Sequence, residues 1–270
     1  MEKLQAALER ARKSRGHEPH PPRLTPVRAE ADRKGDVHET RWQALEPFEV
    51  NPHHLQAHRI VTRAASAAAA PFDILRTTML LQMRHSGWKR LAITSPMPGS
   101  GKTTTACNLA LGLGRQSDLR AMLFDFDLRD PSVHSFFEMT PTHGIDELLT
   151  GKVDFAQQGL RIGDNIAVSA ARERLTDPTQ LLLAENTAQI LDQIEANYNP
   201  DLMIFDLPSL LVNDDTRAFL KNVDCALIVI RANATQYGQF NICEREIAEH
   251  TNVLGVVLNA YRHEQKGGGS

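Results

Sequence analysis

The chain has 270 residues, 41% of them hydrophobic, and a formal net charge of −3 at pH 7. This length allows one α/β domain with an appendage, and the charge argues against nucleic-acid binding as the main activity. No apolar run approaches the roughly 20 residues that a membrane-spanning helix needs, and the first residues lack the apolar region of a signal peptide. We therefore expect a cytoplasmic protein that reaches a membrane only through a partner or a local patch.

The chain is predicted to begin with a mostly disordered arm, residues 1–56. The first 58 residues hold six of the fourteen prolines and six of the eleven histidines, without a lasting apolar period. One helix near residues 2–15 carries basic side chains that could contact acidic lipid headgroups, although a solvated helix is favoured. Three histidines suggest a metal site only weakly, because no cysteine or carboxylate lies nearby at ligand spacing: His53, His54 and His58.

Residues 57–262 have the pattern of one α/β domain, followed by a flexible tail at residues 263–270. Short apolar runs predict strands at residues 90–94, 120–127, 165–169, 202–206, 224–230 and 253–258. Helices are predicted at residues 71–87, 106–113, 132–138, 144–150, 177–198, 213–222 and 237–249. Alternating strands and helices favour a doubly wound, mostly parallel sheet of the P-loop NTPase type with helices on both faces.

A glycine-rich turn, residues 95–105, lies between the first strand and the helix after it. It ends in Gly-Lys-Thr, and a turn of this kind between a strand and a helix is typical of a phosphate-binding loop. Its N–H groups would cradle phosphates. Lys102 would reach the β- and γ-phosphates, and the Thr103 hydroxyl would ligate Mg²⁺. Pro96 replaces the first glycine of the usual pattern, but the flanking elements disfavour a chance helix-capping loop.

Acidic side chains close two other strands of the predicted sheet. Asp125 and Asp127 end the second strand, and Asp206 ends the strand at residues 202–206. The carboxyl ends of parallel strands meet at one edge, so these acids should join the phosphate loop. Asp206 would hold Mg²⁺ through water, while Asp125 and Asp127 would bind the metal's water shell and act as general base, in either order. Any one of them alone could be a turn or N-cap residue, but their convergence favours a Mg·ATP site.

The segment Asp125-Phe126-Asp127-Leu128-Arg129-Asp130-Pro131 resembles the D-x-D-L-R-x-P motif of bacterial tyrosine kinases (BY-kinases) of exopolysaccharide and capsule synthesis. Ser95–Thr104 is similar to their S-x-x-P-G-x-G-K-[ST]-T loop. Their third motif, usually D-x-P-P, resembles the segment at Asp206, with Ser209 in place of the second proline. The resemblance covers about residues 57–262 and implies these nucleotide-binding residues: Pro98, Gly99, Ser100, Gly101, Lys102, Thr103, Thr104 and Asn259.

What the resemblance implies is a domain that binds Mg·ATP and transfers its γ-phosphoryl group to tyrosine. The implied catalytic residues are Lys102, Asp125 and Asp127, and the implied metal ligands are Thr103, Asp125 and Asp206. The implied partner is the cytoplasmic end of a membrane polysaccharide chain-length regulator, which would place the protein at the inner membrane as a peripheral component. The related positioning ATPases carry a signature lysine five residues before the loop lysine. Met97 stands there, which favours the kinase branch.

Two departures from the kinase pattern leave the activity open. The oligomerisation motif E-x-x-R-x-x-R aligns with Ala70, Asp73 and Arg76, which predicts a homo-oligomer with a weakened ring interface. Only three tyrosines are present, and Tyr261 alone lies near the tail, where it is either a lone acceptor or a packing residue. Self-phosphorylation is therefore not expected. The alternative function is a nucleotide-sensing ATPase or pseudokinase module that docks on the export machinery without phosphorylating anything.

Overall fold

The computed structural model describes residues 37–261, and a mixed, mostly parallel sheet forms their core. In chain order its strands are β1 (Glu46–Pro47), β2 (Arg90–Thr94), β3 (Ala121–Asp125), β4 (Leu160–Ile162), β5 (Ile166–Ser169), β6 (Leu202–Asp206), β7 (Cys225–Arg231) and β8 (Asn252–Asn259). Their spatial order is β1-β4-β5-β3-β6-β2-β7-β8. Neighbouring strands are parallel except β4 and β5, which are antiparallel.

The helices are α1 (Pro52–Ala57), α2 (Ala70–Ser86), α3 (Lys102–Leu113), α4 (Val133–Phe137), α5 (Ile145–Leu149), α6 (Phe155–Gln158), α7 (Thr179–Leu183), α8 (Glu185–Tyr198), α9 (Asp215–Phe219) and α10 (Tyr237–His250). Residues 37–43 are also helical. As predicted, α2 closes near Gly87: its last helical residue is Ser86, and the φ of +69° at Gly87 suits a glycine C-cap. Within the described residues, no helix combines the length and apolar composition needed to cross a bilayer.

Both faces of the sheet are buried, because alternate side chains of the central strands enter separate cores. On β3, Met122 and Phe124 belong to one core and Leu123 to the other. On β6, Phe205 and Ile204 divide in the same way. This alternation is the period of two expected of a strand covered on both sides. The predicted doubly wound fold with helices on both faces is therefore confirmed.

Residues 38–56, predicted as part of a disordered arm, are instead packed against the domain. Trp42 and Leu55 are buried, and Trp42 Nε1 donates a hydrogen bond to the carbonyl of Asp164 at 2.8 Å. β1 pairs with β4 at the edge of the sheet. Buried side chains at widely spaced positions hold this segment against the domain. Its sequence therefore lacks a continuous helical or strand period. The helix proposed near residues 2–15 and the tail at residues 263–270 lie outside the described residues.

The single helix predicted over residues 177–198 is in fact two helices. α7 ends at Leu183, and Ala184 takes a ψ of 139°, an extended value that separates α7 from α8. Thr187 Oγ1 donates to the carbonyl of Leu181 at 2.6 Å across the break. Neither proline nor glycine marks this break, and distant segments hold both sides of it: Lys221 Nζ donates to the carbonyl of Leu183 at 3.1 Å, and Asn186 Nδ2 donates to the carbonyl of Leu149 at 2.7 Å. The short strands β1 and β4 were not predicted.

Replacing Trp42 with alanine tests whether the segment before α1 belongs to the domain. Trp42 is 0% exposed, so Trp42→Ala should lower the free energy of unfolding by about 3–5 kcal/mol, as large-to-small changes in cores do. Urea denaturation measures the change. Gln43→Ala, at the exposed neighbouring position, is the matched control and should stay within about 0.5 kcal/mol of the wild type. If Trp42→Ala changed the free energy of unfolding as little as the control does, the segment would add nothing to stability.

Candidate functional site

The phosphate-loop segment joins β2 to α3 and bends through two glycines with left-handed backbone. Gly99 has a φ of +73° and Gly101 a φ of +91°, values that favour glycine. A Cβ at Gly101 would collide with the side-chain nitrogen of Asn259. That nitrogen donates a hydrogen bond to the carbonyl of Ser100 at 2.8 Å. The end of β8 therefore helps to hold the turn through which the chain enters α3.

Internal hydrogen bonds shape the rest of the loop. The hydroxyls of Ser95 and Ser100 both donate to the carbonyl of Met97 at 2.8 Å, and Arg231 Nη1 donates to the carbonyl of Gly99 at 3.2 Å. α3 then runs for 12 residues, and the first N–H groups of any helix lack partners within it. The turn and this helix N-terminus together can bind an anion such as a phosphate.

Lys102, the first residue of α3, directs its ammonium into the site. The residue is 9% exposed. Its Nζ donates a hydrogen bond to Ser209 Oγ at 3.3 Å and lies 3.9 Å from Asp127 Oδ2. The ammonium is thus placed between a hydroxyl and a carboxylate at the mouth of the phosphate loop, where it can bind a phosphate oxygen.

Asp125 and Asp206 end adjacent strands, and the register of β3 and β6 pairs them directly. Both are fully buried. Asp206 Oδ2 accepts a hydrogen bond from the Thr103 hydroxyl at 2.5 Å. Asp125 Oδ2 accepts the N–H groups of Ser132 at 3.0 Å and Val133 at 2.9 Å, at the start of α4. The two strands and the two helices α3 and α4 therefore fix both carboxylates.

The oxygen ligands at this position fit a magnesium ion. Asp125 Oδ1 and Asp206 Oδ1 are buried and have no hydrogen-bond partner among the described residues. Buried polar atoms normally have partners, and an orphaned carboxylate oxygen is a natural ligand for a cation. The Thr103 hydroxyl on Asp206 supplies a further hard oxygen.

Three carboxyl groups lie near a single ammonium, so ionising all three would leave negative charge that Lys102 alone cannot compensate. Burial raises the pKa of Asp206 to about 7, although Lys102 and Thr103 act in the opposite direction. Burial, followed by the charge of Asp206, raises the pKa of Asp125 well above its usual range. Burial also raises the pKa of Asp127, against the effect of Lys102. A bound cation would stabilise the ionised forms of all three.

The structure brings together the polar residues that the sequence singled out. Lys102 and Thr103 on α3 face the acids at the ends of β3 and β6, while Pro98 lies at the exposed tip of the loop and Thr104 in the first turn of α3. Asn259, which the family resemblance places among the nucleotide-binding residues, donates a hydrogen bond to the loop backbone at Ser100. Sequence reasoning missed two hydroxyls, Ser209 on Lys102 and Ser132, which donates to Thr103 Oγ1 at 3.2 Å. Ser209 was noted only as a departure from the third motif, and Ser132 directly follows the second motif; the contact each makes with the residue it reaches on α3 depends on how the chain folds.

Comparison with known proteins identifies a nucleotide-binding family and relatives of this chain. Residues 91–268 match the CobQ/CobB/MinD/ParA nucleotide binding domain family. The chain is 28% identical over 210 residues to the tyrosine-protein kinase YwqD of Bacillus subtilis, an alignment that covers 74% of this chain and 84% of YwqD. It is 27% identical over 201 residues to the tyrosine-protein kinase etk of Escherichia coli K12, but spans only 27% of etk.

Solved structures lead to the same group of proteins. The kinase domain of the Escherichia coli tyrosine kinase ETK superimposes with a TM-score of 0.65 at 28% identity, covering 74% of this chain and 81% of that domain. The kinase domain of VpsO, at 24% identity and a TM-score of 0.63, shares the fold. The matched family extends over more than half of the chain. The chain therefore belongs to the CobQ/CobB/MinD/ParA nucleotide-binding domain family, and its relatives there include bacterial tyrosine kinases.

Proposed function

We propose that the chain is an ATP-dependent protein-tyrosine kinase component of bacterial exopolysaccharide synthesis or export. The observation that carries this proposal is the meeting of the phosphate loop with the carboxylates beyond β3 and β6, through the hydrogen bond of Thr103 to the buried Asp206 and the ion pair of Lys102 with the partly buried Asp127. Relatives that cover most of this chain are named tyrosine-protein kinases, which supports tyrosine as the acceptor.

Each group of the site has a proposed role in phosphoryl transfer. The loop N–H groups and Lys102 bind the ATP phosphates. Thr103 and Asp206 would hold Mg²⁺, and Asp125 would bind its water shell. The bound cation would neutralise charge that develops on the phosphates. Asp127 acts as the general base, because its side chain is 16% exposed while Asp125 is fully buried and already accepts two N–H groups.

The transfer step balances with these groups alone. The tyrosine oxygen forms a bond to the γ-phosphorus as the bond from that phosphorus to the β–γ bridging oxygen breaks, and ADP leaves. Asp127 accepts the phenolic proton. Its raised pKa brings it closer to the working pH, which suits a base that must also release the proton afterwards.

A second candidate, the non-phosphorylating nucleotide-sensing module, is favoured by two observations. On α2, Asp73 pairs with Arg76 at 3.0 Å and with Arg115 at 2.8 Å, and Arg76 also donates to the carbonyl of Gly112 at 2.7 Å. These charged side chains are paired within one chain and are therefore less able to pair with a neighbouring subunit. This supports a weakened ring interface. Of the three tyrosines, Tyr198 is 5% exposed and cannot serve as an acceptor on the surface, which leaves the exposed Tyr237 and Tyr261.

We place either function in the cytoplasm, at the inner membrane through a partner. The proposed partner is the cytoplasmic end of a membrane polysaccharide chain-length regulator or co-polymerase, and no nucleic acid is involved. The resemblance of the three motifs supports this partner, and the names of the relatives support the kinase class.

Replacing Lys102 with methionine tests the nucleotide role and separates the two candidates. Lys102→Met should weaken ATP binding and lower phosphotyrosine by at least about 100-fold, as expected when a charged transition-state contact is lost. Isothermal titration calorimetry measures binding by the purified protein, and phosphoproteomics compares host cells carrying each allele. Lys89→Met is the matched control, since Lys89 pairs with Glu195 at 3.7 Å and not with the site.

The pattern of results decides between kinase and module. The kinase requires phosphotyrosine sites that vanish in the Lys102→Met strain and persist in the Lys89→Met strain. ATP binding by the wild type with identical phosphotyrosine profiles in all strains would reject the kinase and support the module. Absence of ATP binding would reject both.

The buried Asp206 should make metal binding dependent on pH. Because its pKa is raised to about 7 in the folded, metal-free protein, protons compete with Mg²⁺ below that value. The affinity for Mg²⁺ in the presence of ADP should fall by about tenfold per pH unit from pH 7 to pH 5.5. Titration calorimetry at several pH values measures this. A flat profile in the wild type would contradict a metal-binding role for Asp206.

The raised pKa of Asp206 also predicts that removing its charge stabilises the folded protein. A raised carboxyl pKa means that the folded state binds the proton more tightly than the unfolded state, so metal-free stability decreases as pH rises from about 4 to 7. Asp206→Asn should therefore raise the free energy of unfolding at pH 8 by about 1–4 kcal/mol while abolishing Mg²⁺ binding. Chemical denaturation without metal tests this. The exposed Asp118→Asn control should change stability by less than about 0.5 kcal/mol, and destabilisation by Asp206→Asn would refute the argument.

A further inference from the structure

Ser209 carries a buried hydroxyl into the phosphate loop that the proposed chemistry does not use. The residue is 4% exposed and lies three residues after the end of β6. Its Oγ is 3.3 Å from Lys102 Nζ and 3.0 Å from Ser95 Oγ. The Ser95 hydroxyl in turn lies 2.8 Å from the carbonyl of Met97. Four polar groups therefore form one continuous chain.

The direction of every hydrogen bond in this chain follows from the chemistry of its two ends. A lysine ammonium can only donate, so Ser209 accepts from Lys102. A carbonyl can only accept, so the Ser95 proton goes to Met97. The proton between the two hydroxyls must then come from Ser209. Each hydroxyl donates once and accepts once, and such a fully satisfied buried chain is rigid.

The backbone around Ser209 is tied to the loop at several points. Thr94 Oγ1 donates to the carbonyl of Pro208 at 2.7 Å, and Thr216 Oγ1 donates to the same carbonyl at 2.8 Å. The N–H of Leu210 donates to the carbonyl of Ser95 at 2.9 Å. Ser209 is therefore held at a fixed place relative to the loop and can fix a side chain that contacts it.

The ammonium of Lys102 needs such an anchor. Lysine has a long side chain with large rotamer entropy, which must be lost when it binds a phosphate. Asp127 Oδ2, at 3.9 Å, attracts the ammonium but lies beyond hydrogen-bond distance. Ser209 thus supplies the hydrogen bond that selects the position of Nζ, beside Asp127, the proposed base. That position is the end of the site where the transferred phosphoryl group would lie.

We propose that Ser209 is a positioning residue that presets the Lys102 ammonium for the terminal phosphate, so that the site prefers a triphosphate to a diphosphate. The proposal rests on the proposed function, in which Lys102 binds the β- and γ-phosphates. Ser209 does not act on the reaction itself. It acts through Lys102, and its effect is larger for nucleotides that possess a γ-phosphate, which gives the ammonium a second phosphate to bind.

The test compares the affinities of the full-length protein for Mg·ADP and for the non-hydrolysable β,γ-imido analogue of Mg·ATP by titration calorimetry. Ser209→Ala should weaken binding of the analogue by about tenfold, the effect of losing one hydrogen bond to a charged group, and that of ADP by less than about twofold. Ser209→Thr keeps the hydroxyl and should retain the wild-type ratio of the two affinities. A simple packing role would not change this ratio.

Thr216→Val is the matched control, because it removes a buried hydroxyl that holds the same segment without contacting Lys102. It should leave the ratio unchanged. If Ser209→Ala melts early, Ser209→Cys, with a weak acceptor of similar shape, takes its place and should show the same shift in direction. Suppose the wild type binds both nucleotides and the folded Ser209 variant keeps the wild-type ratio of the two affinities, or loses affinity equally for both. Either result overturns the role of Ser209. Failure of the wild type to bind either nucleotide rejects the proposed function and Ser209's role with it.

Discussion

The pairing of two buried carboxylates at the ends of β3 and β6 is the constraint on which the rest of the site depends. Asp125 and Asp206 occupy the same register position on adjacent parallel strands, so the sheet itself brings them side by side. Neither is exposed, and burial raises the pKa of both. A fold that only had to be stable would place apolar or neutral side chains there. Two buried carboxylates become favourable when a bound ligand supplies positive charge.

The protein supports this costly pair with a rigid aromatic layer directly beneath it. Phe124 precedes Asp125 and Phe205 precedes Asp206, and their rings stack with centroids 5.0 Å apart and an interplanar angle of 16°. Phe126 packs edge-on against Phe205 at 5.3 Å. Aromatic contacts of this kind add to the stabilisation from burial itself. On each of the two strands, the aspartate belongs to the site and the phenylalanine before it packs in the core. The packing of the phenylalanines therefore helps to fix the positions of the carboxylates.

The pair of strand-end carboxylates could be predicted from the sequence because the residues that indicate each strand end are neighbours in the chain. An apolar run that ends in an acid identifies a buried strand and a strand end together, and parallel topology gathers such ends at one edge. Trp42 illustrates what remained hidden, since its hydrogen bond joins residues 122 positions apart. The break at Ala184 and the contact of Ser209 with Lys102 are hidden for the same reason. Each is decided by packing between distant segments, which no local period records.

The segment before α2 contacts the helices of the site on both sides of the domain boundary predicted at residue 57. Asn108, buried in the middle of α3, accepts the N–H of Val61 at 2.9 Å and donates to the carbonyl of Arg59 at 3.0 Å. His54 on α1 contacts the carbonyl of Ser135 on α4 at 2.6 Å. These contacts reach the two helices whose first residues hold Asp206 and Asp125. The segment at residues 38–69 is therefore part of the scaffold that positions both carboxylates, and a few buried side chains and specific hydrogen bonds attach it instead of a continuous apolar face.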